Sequence, residues 1–421
     1  MFKYMSGFAL FSPLIGIILM EAGAYGFSVG RVGHPNGATI AYTLYLLLFL
    51  ATFRFLVKGA VKIRESVTRT SDPDLLALHL VVLVLNLFFL AVMLFFFGGI
   101  RIVSGDVTKE SFRIGLGTFG SVAYWISLYF APAVLAYLSF RYSRSPRDAV
   151  VRYLLVANFI LVFLIGSSWG FKSTAVMVLT PSLLILYWRI TLRQLTVLFL
   201  GLSTSLIFFS MVFDRSGNVS ETLAVLYVRA TVIQGDVPWL IWDLQQEHES
   251  FPPYARTFLP VVGDNLFTLI SGISKDDYAE WVDYHYDLML THVAGYPYWG
   301  IEAGHNVTGT PFAEGLIASG SPGFLLFAIL GGSLLAFNFR LLQSAIRSGS
   351  GIAVALAATY FCFKLFPWLY SGGLLSLIHV STVIGIGLTA LLIRLVEGGG
   401  QLLGLVLGSR SDELPNAVPS A

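Results

Sequence analysis

The chain has 421 residues, of which 12% are charged, 56% hydrophobic and 14% aromatic, and its formal net charge is +2. A soluble fold keeps roughly a quarter of its residues charged, so this composition excludes a soluble enzyme, a disordered chain and an ordinary nucleic-acid binder. An outer-membrane barrel is excluded too, because its strands alternate apolar and polar residues rather than running apolar for about 20. The single cysteine, Cys362, has no internal disulfide partner. No Cys/His cluster has metal-ligand spacing, and neither a metal nor a cofactor is expected.

A helix needs about 20 apolar residues to cross the hydrocarbon layer. Runs of this kind predict spans at 6–26, 37–57, 75–100, 114–140, 152–170, 173–188, 195–213, 324–343, 351–371 and 373–396. The expected fold is an all-α polytopic integral membrane protein of ten transmembrane helices. Only Lys3 precedes the first run, which lacks a small-residue cleavage site, so it reads as a retained helix. Basic residues gather at Lys58, Lys62, Arg64 and Arg69, at Arg141, Arg144, Arg147 and Arg152, at Arg189 and Arg193, and at Arg340 and Arg347. Positive loops stay inside, which puts both termini in the cytoplasm.

Four regions follow: helices 1–7 in 1–213, a long outer loop in 214–323, helices 8–10 in 324–396 and a cytoplasmic tail in 397–421. The outer loop carries thirteen acidic and only four basic residues between Asp214 and Thr310, so the small net charge of the chain is a cancellation. A loop this long usually carries function. Its apolar stretches, Val219 to Trp242 and Phe258 to Ile273, read as interfacial helices that form a lid. Tyr284, Tyr296 and Trp299 belong to an aromatic cluster suited to packing on sugar rings, and an aromatic belt at the headgroup level is the competing reading.

Cations in apolar surroundings are expensive and mark sites or aqueous cavities. Lys172 lies on a tight outer turn, Lys364 inside the ninth span, and Arg229 and Arg256 in apolar outer segments. Guanidinium groups offer a donor fork suited to phosphate. Pairing with nearby acids, or snorkelling of the lysines, would explain the same residues without a ligand. Glu21 and His379 sit near the outer ends of the first and tenth spans. Thr310-Pro311 reads as an N-cap followed by the first helical residue. A short re-entrant or interfacial helix is therefore expected at 311–319, ended by Gly320-Ser321-Pro322-Gly323. Glu314 falls in its first turns, where the helix dipole alone would favour a carboxylate. His305 just precedes it.

Three segments carry a resemblance: GFKSTAVMVLTPSLLILYW, LYVRATVIQGDVP and GTPFAEGLIASGSPGFLLFAILGG. With the ten-span layout they resemble the Wzy-type polymerases of bacterial O-antigen and capsule synthesis, the oligosaccharide repeat unit polymerases. The related O-antigen ligases share a His-Asn pair ahead of a GxxG. Here thirteen residues separate His305-Asn306 from Gly320, four more than in the ligases, which favours the polymerase. The resemblance implies glycosyl transfer at the periplasmic face of the bacterial inner membrane. A growing glycan would pass from undecaprenyl pyrophosphate to a new lipid-linked repeat unit, with membrane lipids and a chain-length regulator as partners and no nucleic acid. Such a reaction needs a base at the attacking hydroxyl and cations at the pyrophosphate. The candidates are Glu314, His305 or Asp264 for the base, and Lys172, Arg229, Arg256 and Lys364 for the pyrophosphate. A ligase, a flippase of lipid-linked oligosaccharide and a non-catalytic scaffold are the alternatives. A transporter predicts paired internal repeats, and no second copy of the 311–323 pattern is present. Other lipid-dependent glycosyltransferases carry paired acids in the first outer loop, whereas SVGRVGHPNG has no carboxylate.

Overall fold

The computed structural model describes residues 1–58, 74–99, 117–145, 148–169, 172–188, 190–191, 193–197, 200–201, 204, 219–247, 261–262, 264–273, 295 and 309–411. Apart from one small hairpin, the regular structure among the described residues is helical, and eight helices among them are long and apolar enough to cross a membrane. They fall on the first five and last three predicted spans. The predicted sixth span instead divides into two short helices, Lys172–Met177 and Thr180–Leu186. Pro181 lies in the first turn of the second of these, where its missing N–H is harmless. Most of the predicted seventh span lies outside the described residues. The last helix runs to Ser411, so part of the predicted tail is helical. The chain forms two compact units: residues 1–62, 191–344 and 360–385 in one, and 63–190, 345–359 and 386–421 in the other.

In the first unit, α1 (Phe2–Glu21) leads through a two-stranded antiparallel hairpin, β1 (Tyr25–Gly26) and β2 (Arg31–Val32), into α2 (Ala38–Val57). Both helices are apolar around much of their circumference and expose large side chains such as Phe11, Ile40 and Phe55. Such exposure is tolerated in lipid. Glu21 closes the turn: its Oε1 accepts the backbone N–H groups of Gly37 at 2.6 Å and Asn36 at 3.3 Å, serving the otherwise unpaired start of α2.

The unit's most extensive helix pairing is between α1 and a helix drawn from the predicted outer loop. Two consecutive helices lie there, α3 (Val219–Ala230) and α4 (Ile233–Gln246). The predicted interfacial position suits α3, which exposes Leu223 and Tyr227, but α4 is buried along most of its length. Gly16 of α1 and Gly235 of α4 bring the two backbones into contact. A Cβ built on Gly16 would stand 2.5 Å from the Gly235 nitrogen and from the Thr231 oxygen, and one on Gly235 would overlap the backbone of Ile17 and Gly16. Small residues permit this approach, which maximises dispersion and dipole contact where no hydrophobic force acts between helices. A third loop helix, α5 (Asp264–Ser271), exposes Leu269 and Ile270 as an interfacial helix would.

The predicted short helix is present as α6 (Pro311–Ser319), and all its residues from Pro311 to Ile317 are buried. Gly320 turns the chain at φ +68° into α7 (Gly323–Ser348). Gly315 and Gly323 then meet backbone to backbone, leaving no room for a Cβ on either. Further along α7, Gly331 and Gly332 lie against Phe49 and the backbone of α2. The ninth predicted span is also interrupted. After α8 (Gly351–Tyr360) comes a π-helical turn, Phe361–Leu365, then α9 (Phe366–Ser371), and the chain stops at Gly372 and Gly373 with φ of +82° and +89°. A four-residue helix, Leu375–Ile378, precedes the long α10 (Val380–Ser411).

The second unit packs α11 (Leu75–Ala91), α12 (Ala131–Arg144) and α13 (Ala149–Ser167) together with the Thr180–Leu186 helix. Ten successive residues of α12, Ala131 to Phe140, are buried. Asn86 of α11 donates to Asn158 of α13 at 3.0 Å, and Asn158 donates in turn to the carbonyls of Leu154 and His79. Tyr137 and Arg141 of α12 both bond Glu397 of α10, at 2.6 and 3.0 Å.

The glycine crossing is directly testable. Gly235→Ala places a methyl against backbone that cannot yield cheaply and should cost about 1–3 kcal/mol. Gly7→Ala, on the same α1 but facing open space, should leave thermal unfolding in detergent unchanged or raised.

Candidate functional site

The hairpin, the C-terminal half of α4 and the break at Gly320 lie together at one end of the first unit, the hairpin end, and Glu314 joins the break at Gly372 to them. Glu314 is its central polar group. This side chain is 1% exposed. Its Oε2 accepts the Trp368 indole N–H at 2.9 Å and the Gly373 N–H at 3.2 Å, and its Oε1 accepts the Leu374 N–H at 2.8 Å. Two of these donors are peptide groups released by the break after α9, and Gly309 N–H closes the same break on the carbonyl of Ser371. Broken backbone in an apolar setting must find such partners. One carboxylate therefore ties the short helix α6 to the interruption in the ninth span. The dipole explanation for Glu314 gives way to this cross-link. Thr310 occupies the predicted cap position, but its hydroxyl does not cap α6. It is buried without a hydrogen-bond partner among the described residues, as is the hydroxyl of Tyr45. The rings of Tyr42, Tyr45 and Trp242 surround Phe312, two residues before Glu314.

A second polar group holds the hairpin to α4. Asp236 is fully buried, and its carboxylate accepts the Ser28 N–H at 2.8 Å and the Val237 N–H at 2.8 Å. Burial pushes its pKa up to about 7, against the opposing pull of these donors. Two turns on, Asp243 accepts from the Asn36 amide at 3.0 Å and lies 3.2 Å from His34 Nε2. Between them Trp239 donates its indole N–H to the carbonyl of His34 at 3.1 Å, while Trp242 and Gln246 donate to the carbonyl of Asn36. None of these residues was singled out as a site residue from the sequence. Their signal was present in the spacing: Asp236, Trp239 and Asp243, at i, i+3 and i+7, share one helix face. What the sequence hid was the partner, a loop about 200 residues earlier.

The predicted cations are distributed as follows. Arg229 is exposed near the C-terminus of α3 and lies within electrostatic reach of Tyr370 in α9. Lys364 is half-buried in the π-helical turn that precedes α9. Helices accommodate such turns at a local cost and often use them at functional sites. Both belong to the first unit. Lys172 starts a short helix of the second unit. Asp264 starts α5. The side chains of Lys172 and Asp264, and all of Arg256, Tyr284, Tyr296, Trp299 and His305, lie outside the described residues. No group of three or more His, Cys, Asp or Glu side chains suited to a metal ion is present among the described residues.

Comparison with known proteins finds no matching family model, no matching curated protein and no matching solved structure. The chain defines a multi-pass helical membrane protein with interrupted helices at one end.

Two outcomes test this geometry. Glu314→Gln replaces an acceptor oxygen with an amide donor facing N–H groups, and should cost about 1–3 kcal/mol, read as a lower unfolding midpoint together with a shift of tryptophan emission from Trp368. For Asp236 the folded-state pKa is raised. Its contribution is therefore fully present below the usual carboxylate range and is lost as pH rises through about 7. Hydrogen exchange of the 25–33 hairpin should accelerate between pH 6 and pH 8 beyond the intrinsic chemical rate. Asp236→Asn should abolish that excess.

Proposed function

We propose that the chain is a membrane glycosyltransferase that polymerises lipid-linked oligosaccharide repeat units, as its resemblance to the Wzy-type polymerases implies. In this reading the hairpin end faces the periplasm of a bacterium, the membrane is the inner one and both termini are cytoplasmic. The growing glycan leaves undecaprenyl pyrophosphate and joins the hydroxyl of a new repeat unit. Chain length would be set with a regulator protein, for either an O-antigen or a capsule.

The observation that carries the reading is the pairing of two interrupted helices with cations beside one of them. Lys364 lies in the π-helical turn that runs into the helix ending at Gly372, and Arg229 is within electrostatic reach of Tyr370 on that helix. Guanidinium and ammonium groups there would stabilise the charge that develops on the leaving group. Lys172 and Arg256 are the remaining cations assigned to this task, and Tyr284, Tyr296 and Trp299 are assigned to the glycan. Glu314 keeps the two breaks in register in this reading, since its oxygens already face peptide and indole donors. His305 and Asp264 are the other candidates that the sequence offers for the base.

The same interruptions favour a second reading, a flippase of lipid-linked oligosaccharide, because transporters also build sites from broken helices near their midplane. Purified protein in liposomes separates the two. A polymerase converts a lipid-linked repeat unit into a ladder of products on a gel, whereas a flippase moves the intact lipid-linked unit across the bilayer without extending it. In the first case Arg229→Ala should lower the rate on the order of 10²-fold. A full-strength ladder from that variant removes the arginine from the clamp.

A further inference from the structure

An exposed histidine on a loop normally rotates freely. His34 does not. Its ring stands edge-on to Trp239, with centroids 5.1 Å apart at 83°, and its carbonyl accepts the indole N–H of the same residue. Its Nε2 lies 3.2 Å from Asp243 Oδ1, an oxygen that the Asn36 amide also holds at 3.0 Å. The His34 side chain is 55% exposed and that of Asp243 only 13%. The dyad therefore has a buried orienting carboxylate and an open imidazole face. With Nε2–H donated to the carboxylate, Nδ1 is the basic nitrogen, and the imidazole has no other hydrogen-bond partner among the described residues. An imidazole held by a carboxylate at one ring nitrogen and open at the other is the arrangement of a general base.

Its position supports the same use. Asp243 is on the half of α4 whose Trp242 packs on Phe312 and Phe324, on either side of the break at Gly320, and whose Gln245 side chain would lie 3.7 Å from a Cβ built on Gly320. The dyad thus opens at the hairpin end, beside the interrupted helices and in the same unit as Arg229. A structural ion pair would not need the imidazole exposed, and its orientation is fixed more tightly than the loop's own backbone requires, since Trp239, Trp242 and Gln246 already bind that backbone.

We infer that His34, oriented by Asp243, is the general base that deprotonates the attacking hydroxyl of the acceptor saccharide. This rests on the glycosyl-transfer reading. The hydroxyl proton passes to His34 Nδ1, and the oxygen forms a bond to the anomeric carbon. The bond from that carbon to the pyrophosphate oxygen breaks, and its electron pair leaves with the lipid pyrophosphate. The imidazolium then returns its proton to water. Asp243 is a positioning residue that holds the tautomer. The ionisable groups on the elements packed around the dyad include Asp236, Asp243 and Glu247 on α4, Glu21 at the end of α1, Tyr25 and Arg31 in the hairpin, Tyr42 and Tyr45 on α2 and Glu314 on α6.

The test uses the full-length protein in liposomes with a purified lipid-linked repeat unit, measured from pH 5 to pH 9. His34→Asn should lower the initial rate on the order of 10²–10⁴-fold and remove the acid limb of the rate–pH profile, with KM little changed. Asp243→Asn should lower the rate less and slow acylation of the imidazole by diethyl pyrocarbonate. Asp236→Asn, which alters the neighbouring buried acid, should leave the acid limb in place. Unimpaired polymerisation by His34→Asn, with the acid limb intact, overturns the base assignment and leaves the glycosyl-transfer reading standing. Absence of any product from the folded unmodified protein overturns both.

Discussion

A helix that stops inside an apolar layer releases peptide N–H and carbonyl groups that no water can reach, and each costs several kcal/mol if left unpaired. The first unit contains two such stops, at Gly320 and at Gly372–Gly373, and its hairpin end is organised around meeting that cost. The Glu314 carboxylate takes two peptide N–H groups and an indole N–H. Asp236 does the same for the turn of the first loop, and Glu21 for the start of α2. Three carboxylates at one end of the unit thus act chiefly as acceptors for backbone. Each is placed where the polypeptide itself supplies the positive partner.

The second constraint is distance. A carboxylate can bridge two interruptions only if the helices that carry it approach closely, and glycine supplies that approach at Gly16 with Gly235 and at Gly315 with Gly323. The two devices are interdependent. Close backbones leave little space for water, which makes each fixed hydrogen bond both stronger and harder to forgo. The same closeness brings α4 under the first loop, so that His34 and Asp243, remote in sequence, share one hydrogen-bonded patch. Chemistry at this end of the molecule would therefore depend on packing several residues deeper.

Composition and hydropathy made the membrane class and most spans legible, because a run of twenty apolar residues has few other uses. Thr310-Pro311 and Gly320 likewise marked both ends of α6 correctly, since cap and stop signals are local. The burial of α4 was illegible for the opposite reason. Val219 to Trp242 reads as an apolar interfacial helix with one face left open, and only a distant loop donating to Asp236 and Asp243 discloses that this face is covered. The split at Pro181 was not legible from the proline alone, since Pro13 sits inside α1 and Pro238 inside α4 without ending either helix. For the candidate site, the value of Glu314 was visible but its use was not. A carboxylate in the first turn of a helix suggests a dipole partner, and nothing local discloses Trp368 or Leu374.

The paired amides of Asn86 and Asn158 bear on how the molecule comes together. An asparagine is polar enough to seek a partner within hydrocarbon and cheap enough, unlike an ion, to let its helix insert alone. α11 and α13 can therefore enter the bilayer as independent rods and find each other afterwards by rotation and sliding. Only one azimuth and one height let both amides pair, with Asn158 also reaching the carbonyl of His79. The two side chains work as a key cut for a single docking pose among helices whose leucine-rich faces would otherwise fit in many.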